Sequence, residues 1–319
     1  QWRELNRDKK QLVDDVLAPS RNDEYLLYQT LVGAWPFEPE RATRSCFRDR
    51  IKAYMLKAVR EAKEKSSWAN PNTSYETAVT TFVDAILSPR EGGNDFMESF
   101  ADFSHSTTRA GMFNSLSQTL LKLTCPGVPD IYQGNELWDL SLVDPDNRRA
   151  VDYSTRLKIL QEMQKWPQSA ERLKPHVREL INHMSDGRIK MYLTWKALCL
   201  RKQYPELFLR GNYRSLNVQG PKAKHLLAFT RGDEKRELIV AVPRLCSKLF
   251  NGNGESSAIQ DWWKETRLEL PPSAERRTYR NVFTGEQINL EPSGQASHLP
   301  ANALFTEFPL ALLYSTSRT

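Results

Sequence analysis

The chain has 319 residues, 45 Lys and Arg against 39 Asp and Glu for a net charge of +6, and eight Trp, eleven Tyr and thirteen Phe. That length is ample for one or two buried cores, and that aromatic content excludes a disordered polymer. No run approaches the roughly 20 apolar residues that cross a bilayer. The basic residues are interleaved with acids, as in Glu61-Ala62-Lys63-Glu64-Lys65, so neither a membrane span nor a nucleic-acid footprint is expected.

Residues 1 to about 104 read as almost entirely helical. Leu12, Val13, Val16 and Leu17 make one apolar stripe, and Tyr25, Leu26, Tyr28, Leu31 and Val32 make another. Arg41 to Lys65 predicts a long charged helix with Ile51, Tyr54, Met55, Ala58 and Val59 inward. After a polar loop from Ser66 to Asn72, the next helix begins near Ser74 and buries Ala78, Val79, Phe82, Val83 and Ile86. A further helix is expected from Thr107 to Pro126-Gly127, followed at 128–134 by a short β-branched and aromatic run that reads as a buried parallel strand. Helices at 154–165 and 188–204 complete this part.

The last third changes period. Tyr213 to Val218, His225 to Thr230, Glu237 to Val242, Thr278 to Phe283 and Leu310 to Ser315 are short strand-like runs, and Thr284-Gly285-Glu286 suits a hairpin turn. Leu304 to Tyr314 reads as a strand pair, and the whole region as an antiparallel sandwich. Phe250 to Ile259, rich in Gly, Ser and Asn, reads as a mobile loop, and Trp262-Trp263 as core.

Two clusters could carry chemistry. Gly134-Asn135-Glu136-Leu137-Trp138-Asp139, with Asp144-Pro145-Asp146-Asn147-Arg148-Arg149 behind it, lies just past the expected strand, where α/β barrels keep their sites. Equally, Asp144 and Asp146 could shape a turn and pair with Arg148. Ser67-Trp68-Ala69-Asn70-Pro71-Asn72 with Tyr75 and Glu76 combines rings, amides and carboxylates. That mixture suits sugars, whose apolar faces stack on rings while their hydroxyls need donors and acceptors. A Trp plugging a helix junction is the competing reading. Cys46, Cys125, Cys199 and Cys246 show no CxxC spacing, so reduced thiols in a cytoplasmic protein are expected. His105, His176, His183, His225 and His298 are scattered, which predicts no metal centre and no cofactor. The opening Gln1-Trp2-Arg3-Glu4-Leu5 has no initiator Met and no secretory signal, and reads as entry into the middle of a longer chain.

The run Cys125-Pro-Gly-Val-Pro-Asp-Ile-Tyr-Gln-Gly-Asn-Glu136 resembles the eighth-strand motif of α-amylase-family barrels. Its continuation, Leu137-Trp-Asp-Leu-Ser-Leu-Val-Asp-Pro-Asp-Asn-Arg-Arg149, narrows the resemblance to the maltooligosyltrehalose synthases. Lys57-Ala-Val-Arg-Glu-Ala-Lys63, Ser67-Trp68, Pro71-Asn72, Tyr75-Glu76, Arg188 to Tyr213 and Ala241-Val-Pro-Arg244 extend it over nearly the whole chain. One departure is Ala150, where the family carries Pro.

The resemblance implies the C-terminal part of a (β/α)8 barrel with helical insertions, followed by an antiparallel β-sandwich domain. Residues 1–104 would be the insertion after strand seven, and 105–134 the seventh helix and eighth strand. Residues 135–187 would be the insertion after strand eight, 188–207 the eighth helix and 208–319 the β domain. It also implies an activity, the conversion of the reducing-end α-1,4 linkage of a maltooligosaccharide to α,α-1,1. The retaining Asp nucleophile, Glu acid/base and stabilising Asp match no position in this chain, so the chain alone is expected to be inactive. Its role would be to wall the acceptor side of the sugar cavity and keep water out, with Trp68, Tyr75, Asn135, Glu136, Asp144, Asp146 and Arg148 lining or bracing it. A non-catalytic glucan-binding module, or one that docks the hydrolase releasing trehalose, is the alternative. An eighth strand without neighbours would have open edges, which predicts a dimer or a rearranged helical part.

Overall fold

The computed structural model describes residues 1–37, 45–88, 93–233, 236–249, 259–272 and 276–315. The chain forms two compact units, Gln1–Thr108 with Asp139–Ala150, and Arg109–Trp138 with Val151–Thr319.

The first unit contains α1 (Trp2–Leu5), β1 (Gln11–Val13), β2 (Val16–Ala18), α2 (Arg21–Ala34), α3 (Ser45–Ala62), α4 (Thr73–Leu87) and the first half of α5 (Asp95–Thr124). Local signals start the helices. The Ser20 hydroxyl accepts from the Asp23 N–H to cap α2, and the Asn72 side chain accepts from the Tyr75 N–H to cap α4. Apolar positions at helical spacing then meet in one core of Leu27, Leu31, Ile51, Met55, Phe82, Ile86, Phe96 and Phe100, on whose edge Trp2 packs against Phe100.

The stripe expected as a helix at 12–17 is instead the β1–β2 hairpin, with Leu12 opposite Leu17 and Val13 opposite Val16. Its two-residue turn, Asp14-Asp15, has both φ angles positive, 48° and 60°, as a primed turn requires. The four apolar residues are symmetric about that turn, so their spacing fits either structure. The pairing leaves Leu12 66% exposed.

The second unit takes the rest of α5, then α6 (Tyr153–Gln164), α7 (Ala170–Asn182), α8 (Arg188–Gln203) and α9 (Pro205–Arg210). The strands follow: β3 (Asn212–Ser215), β4 (Asn217–Gln219), β5 (Leu226–Gly232) and β6 (Glu237–Pro243). After α10 (Cys246–Leu249) come β7 (Arg267–Leu270), β8 (Arg277–Asn281), β9 (Gln287–Leu290) and β10 (Ser297–Pro300), then α11 (Ala301–Leu304) and β11 (Ala311–Ser315). One sheet has the order β3-β5-β6-β11-β8-β9 and the other β10-β7-β4, with every pairing antiparallel. The chain passes from the larger sheet to the smaller at Leu216, between β3 and β4. Inside the larger sheet β6 is apolar without alternation from Leu238 to Val242, because both its faces are covered, whereas edge strand β3 is exposed at every position. Gly285, at φ 74°, turns β8 into β9.

Trp263 is fully buried and stacked on Phe305, and Trp262 meets Phe113 edge-on, so the pair is core. The Tyr192 hydroxyl of α8 donates to the Phe283 carbonyl at 2.7 Å just beyond β8, tying helix to sheet.

Three further expectations need correction, and one falls outside the described residues. Residues 128–134 form no strand, and Val128 is 92% exposed. A buried parallel strand needs a ladder partner, and among the described residues none lies beside this run; Pro129 also lacks the donor N–H. The described residues thus contain no parallel pair and no closed barrel. The helix expected from Thr107 begins at Asp95. Leu304 to Tyr314 is not a strand pair: it holds the end of α11, a bend and β11. The loop expected at 250–259 lies, but for Ile259, outside the described residues.

Candidate functional site

In the first unit, residues 139–150 are laid along α3 by its basic face. Arg50 clamps the Asp146 carboxylate with two parallel hydrogen bonds, both 2.8 Å, and also donates to the Leu140 carbonyl at 2.9 Å. The Leu142 N–H donates to the same carboxylate at 2.7 Å, and Lys57 Nζ donates to the Asp144 carbonyl at 2.6 Å. Burial would raise the Asp146 carboxyl, but the hydrogen bonds from Arg50 and Leu142 outweigh it and hold the group below the usual Asp range. Asp144 pairs with Arg148 at 2.5 Å, both well exposed. Asp144, Asp146 and Arg148 therefore come together in one loop, and Asp146 is its anchor.

A second arrangement in this unit centres on Glu76, in the first turn of α4. Arg60, near the end of α3, grips it bidentately at 2.8 and 2.6 Å, and the Ser66 hydroxyl donates to it at 2.5 Å. Ser66 in turn accepts from the Asn72 N–H at 3.0 Å, which closes the 66–72 loop. The Arg60 hydrogen bonds lower the Glu76 carboxyl below the usual Glu range. The same guanidinium lies 4.8 Å from the centre of the Trp68 ring, while Trp68 is 58% exposed. The loop thus holds out an indole whose back rests on a fixed cation. Tyr75 is placed otherwise. Its ring is buried, its hydroxyl donates to Asp23 and accepts from the Ser20 N–H at 2.9 Å, and burial followed by the Asp23 bond pushes it up to about 12. With no free face, Tyr75 can brace the site but cannot stack on a ligand.

In the second unit, Asn135 and Glu136 sit on the turn Gly134–Trp138. Arg156 of α6 bonds Glu136 at 3.0 Å and the Gly134 carbonyl at 2.8 Å. Lys190 of α8 donates to Asn135 Oδ1 at 2.5 Å. Gly134, at φ 89°, supplies the reversal that aims both side chains.

The sequence singles out these acids, amides and rings but not the cations that hold several of them, Arg50, Arg60, Arg156 and Lys190. Their partners stand 96, 16, 20 and 55 positions away. Only the basic stripe of α3, Arg50-Lys57-Arg60, offered a signal. Chemically, Glu76, Glu136, Asp144 and Asp146 are each paired with an arginine. A general acid at neutral pH needs a raised carboxyl pKa, and Asp146 and Glu76 are shifted the opposite way.

No family model matches the chain. A curated protein of Mycobacterium tuberculosis (strain CDC 1551 / Oshkosh), described as "Putative maltooligosyl trehalose synthase", is 36% identical over 296 residues; the match covers 93% of this chain and 32% of that protein. A crystal structure of maltooligosyl trehalose synthase superposes with a TM-score of 0.68 at 32% identity, over 98% of this chain and 35% of the other. The maltooligosyltrehalose synthase of Arthrobacter ramosus gives 0.68 at 31%, over 99% and 35%. The chain spans about a third of the length of these relatives. Over that third, in sequence and in fold, it belongs with the maltooligosyl trehalose synthases.

Proposed function

We propose that this chain contributes a sugar-binding wall, on the acceptor side, to an enzyme that turns the reducing-end α-1,4 linkage of a maltooligosaccharide into an α,α-1,1 linkage. The observation that carries this reading is the Trp68 indole, exposed yet held from behind by Arg60, on a loop closed by Glu76 and Ser66. A preset ring is what the apolar face of a glucose unit stacks on, and presetting it removes the ordering cost at binding. In the first unit Trp68 would contact sugar, with Tyr75, Asp144, Asp146 and Arg148 bracing the loops of that unit; in the second unit Asn135 and Glu136 would contact sugar. The bond-making carboxylates of the transfer lie outside this set, since Glu76, Glu136, Asp144 and Asp146 are each committed to an arginine. The four unpaired cysteines agree with a reducing, cytoplasmic setting.

Two measurements test this. The purified chain should leave the reducing ends of maltopentaose unchanged while binding the sugar, and Trp68→Ala should weaken that binding roughly tenfold, with Trp68→Phe between the two. In an enzyme of the relatives' full length, Trp68→Ala should raise the ratio of hydrolysis to isomerisation. Binding that is indifferent to Trp68, or trehalose-capped product from the purified chain, would reject the reading.

A further inference from the structure

Beneath the turn Gly134–Trp138 lies the junction that starts α8. Gly187 has φ 79°, and a Cβ there would come within 2.9 Å of the Trp138 amide nitrogen and 3.2 Å of Leu137 Cβ. The Trp138 indole N–H donates to the Met184 carbonyl at 2.5 Å. One turn into the helix Lys190, only 6% exposed, reaches Asn135 Oδ1 at 2.5 Å and the Leu137 carbonyl at 3.2 Å, with its Nζ 5.8 Å from the Trp138 ring centre.

Lysine is an expensive choice for this position. Its neighbours Ile189, Met191, Tyr192 and Leu193 are all buried, and burial costs an ammonium its hydration and its stem its rotamer freedom. A leucine would fill the space without the hydration cost and with less loss of rotamer freedom. What lysine alone supplies is direction. An ammonium only donates, so the Asn135 carboxamide must turn its oxygen toward Lys190 and its NH2 group away. Among the described residues that NH2 group has no acceptor, although the backbone N–H of Asn135 is satisfied by the Tyr132 carbonyl at 3.2 Å.

We infer that Lys190 is a positioning residue: it locks the Asn135 carboxamide so that its two N–H bonds are presented to an acceptor oxygen, that of a glucose hydroxyl. The ligand class rests on the sugar-binding reading above; the locking does not. Lys190 touches no ligand itself and acts through Asn135.

Hydrogen exchange and maltopentaose titration on three variants of the chain decide the matter. Lys190→Met keeps the stem and removes the donors. Exchange across 134–138 should quicken about tenfold, while β5, β6 and the rest of α8 keep their protection. Sugar affinity should fall about tenfold, equivalent to about 1.4 kcal/mol. Asn135→Asp keeps an acceptor for Lys190 but loses the NH2 group, so exchange should stay as in the parent while affinity falls by the same factor. The double variant should lose no more affinity than Lys190→Met alone. Lys190→Gln, which retains a donor, substitutes if the Met variant does not fold. Unchanged exchange in Lys190→Met, unchanged affinity in Asn135→Asp, or losses that simply add would overturn the proposal. A parent chain that binds no maltopentaose would reject the sugar reading, and exchange alone would then decide whether Lys190 locks the turn.

Discussion

Asp146 takes two hydrogen bonds from Arg50 and one from the Leu142 N–H, so its charge is the nail that fixes residues 139–150 to α3. Asp146→Asn keeps the shape but loses the charge and half of the fork; stability should fall by about 1–3 kcal/mol in urea denaturation. The pH dependence has a definite sign. A carboxyl whose folded pKa lies below its unfolded value near 3.9 contributes fully above that value, and the contribution is lost as pH falls through the lowered folded pKa. Glu76 behaves alike from its own reference near 4.3. Urea midpoints measured between pH 5 and pH 2 should therefore drop less steeply for Asp146→Asn than for the parent, and equal slopes would contradict the assignment. At this scale the acids were legible, because a run such as Asp144-Pro145-Asp146-Asn147-Arg148-Arg149 advertises itself. The Asp144–Arg148 pair, four positions apart, was legible too, but the partner of Asp146 was not, since nothing in a linear chain brings Arg50 to it.

Helices declare themselves through caps and a 3.6-residue period, and α3, α4, α6 and α8 lie where those signals put them. The β1–β2 hairpin shows where the signal is degenerate: two apolar pairs flanking two aspartates fit a helix face and a hairpin equally. The positive φ at Asp15 decides between them, and it can be tested. Asp15→Val, which cannot take a left-handed conformation cheaply, should lower the melting midpoint by the equivalent of about 1–2 kcal/mol. A helix at 12–17 would barely notice the change. Residues 128–134 fail differently. Their composition is strand-like, but a strand is a relation between two segments, and composition carries only one of them.

The chain divides into two compact units, and the first has a core drawn entirely from its own residues, from Ala18 to Phe100. Such a division favours a departure from all-or-none unfolding. Met55→Ala removes a fully buried side chain from the first core and should cost about 2–5 kcal/mol there. Hydrogen exchange should report the loss in α2, α3 and α4, leaving protection in β5, β6 and β11 unchanged. A uniform loss across both sets would argue for a single cooperative core.

Sequence alone determined the helical first third, the antiparallel last third, the burial of Trp262-Trp263 and the two loops rich in acids and rings. Each of these is local: periodicity, capping and composition act within a few residues. Tertiary structure alone decided which cation holds which acid, that Tyr75 is sealed while Trp68 is open, and that Lys190 aims Asn135. Those outcomes depend on groups brought together from 16 to 96 positions apart, and the energy that selects them, burial against charge pairing, exists only once the chain has closed around them.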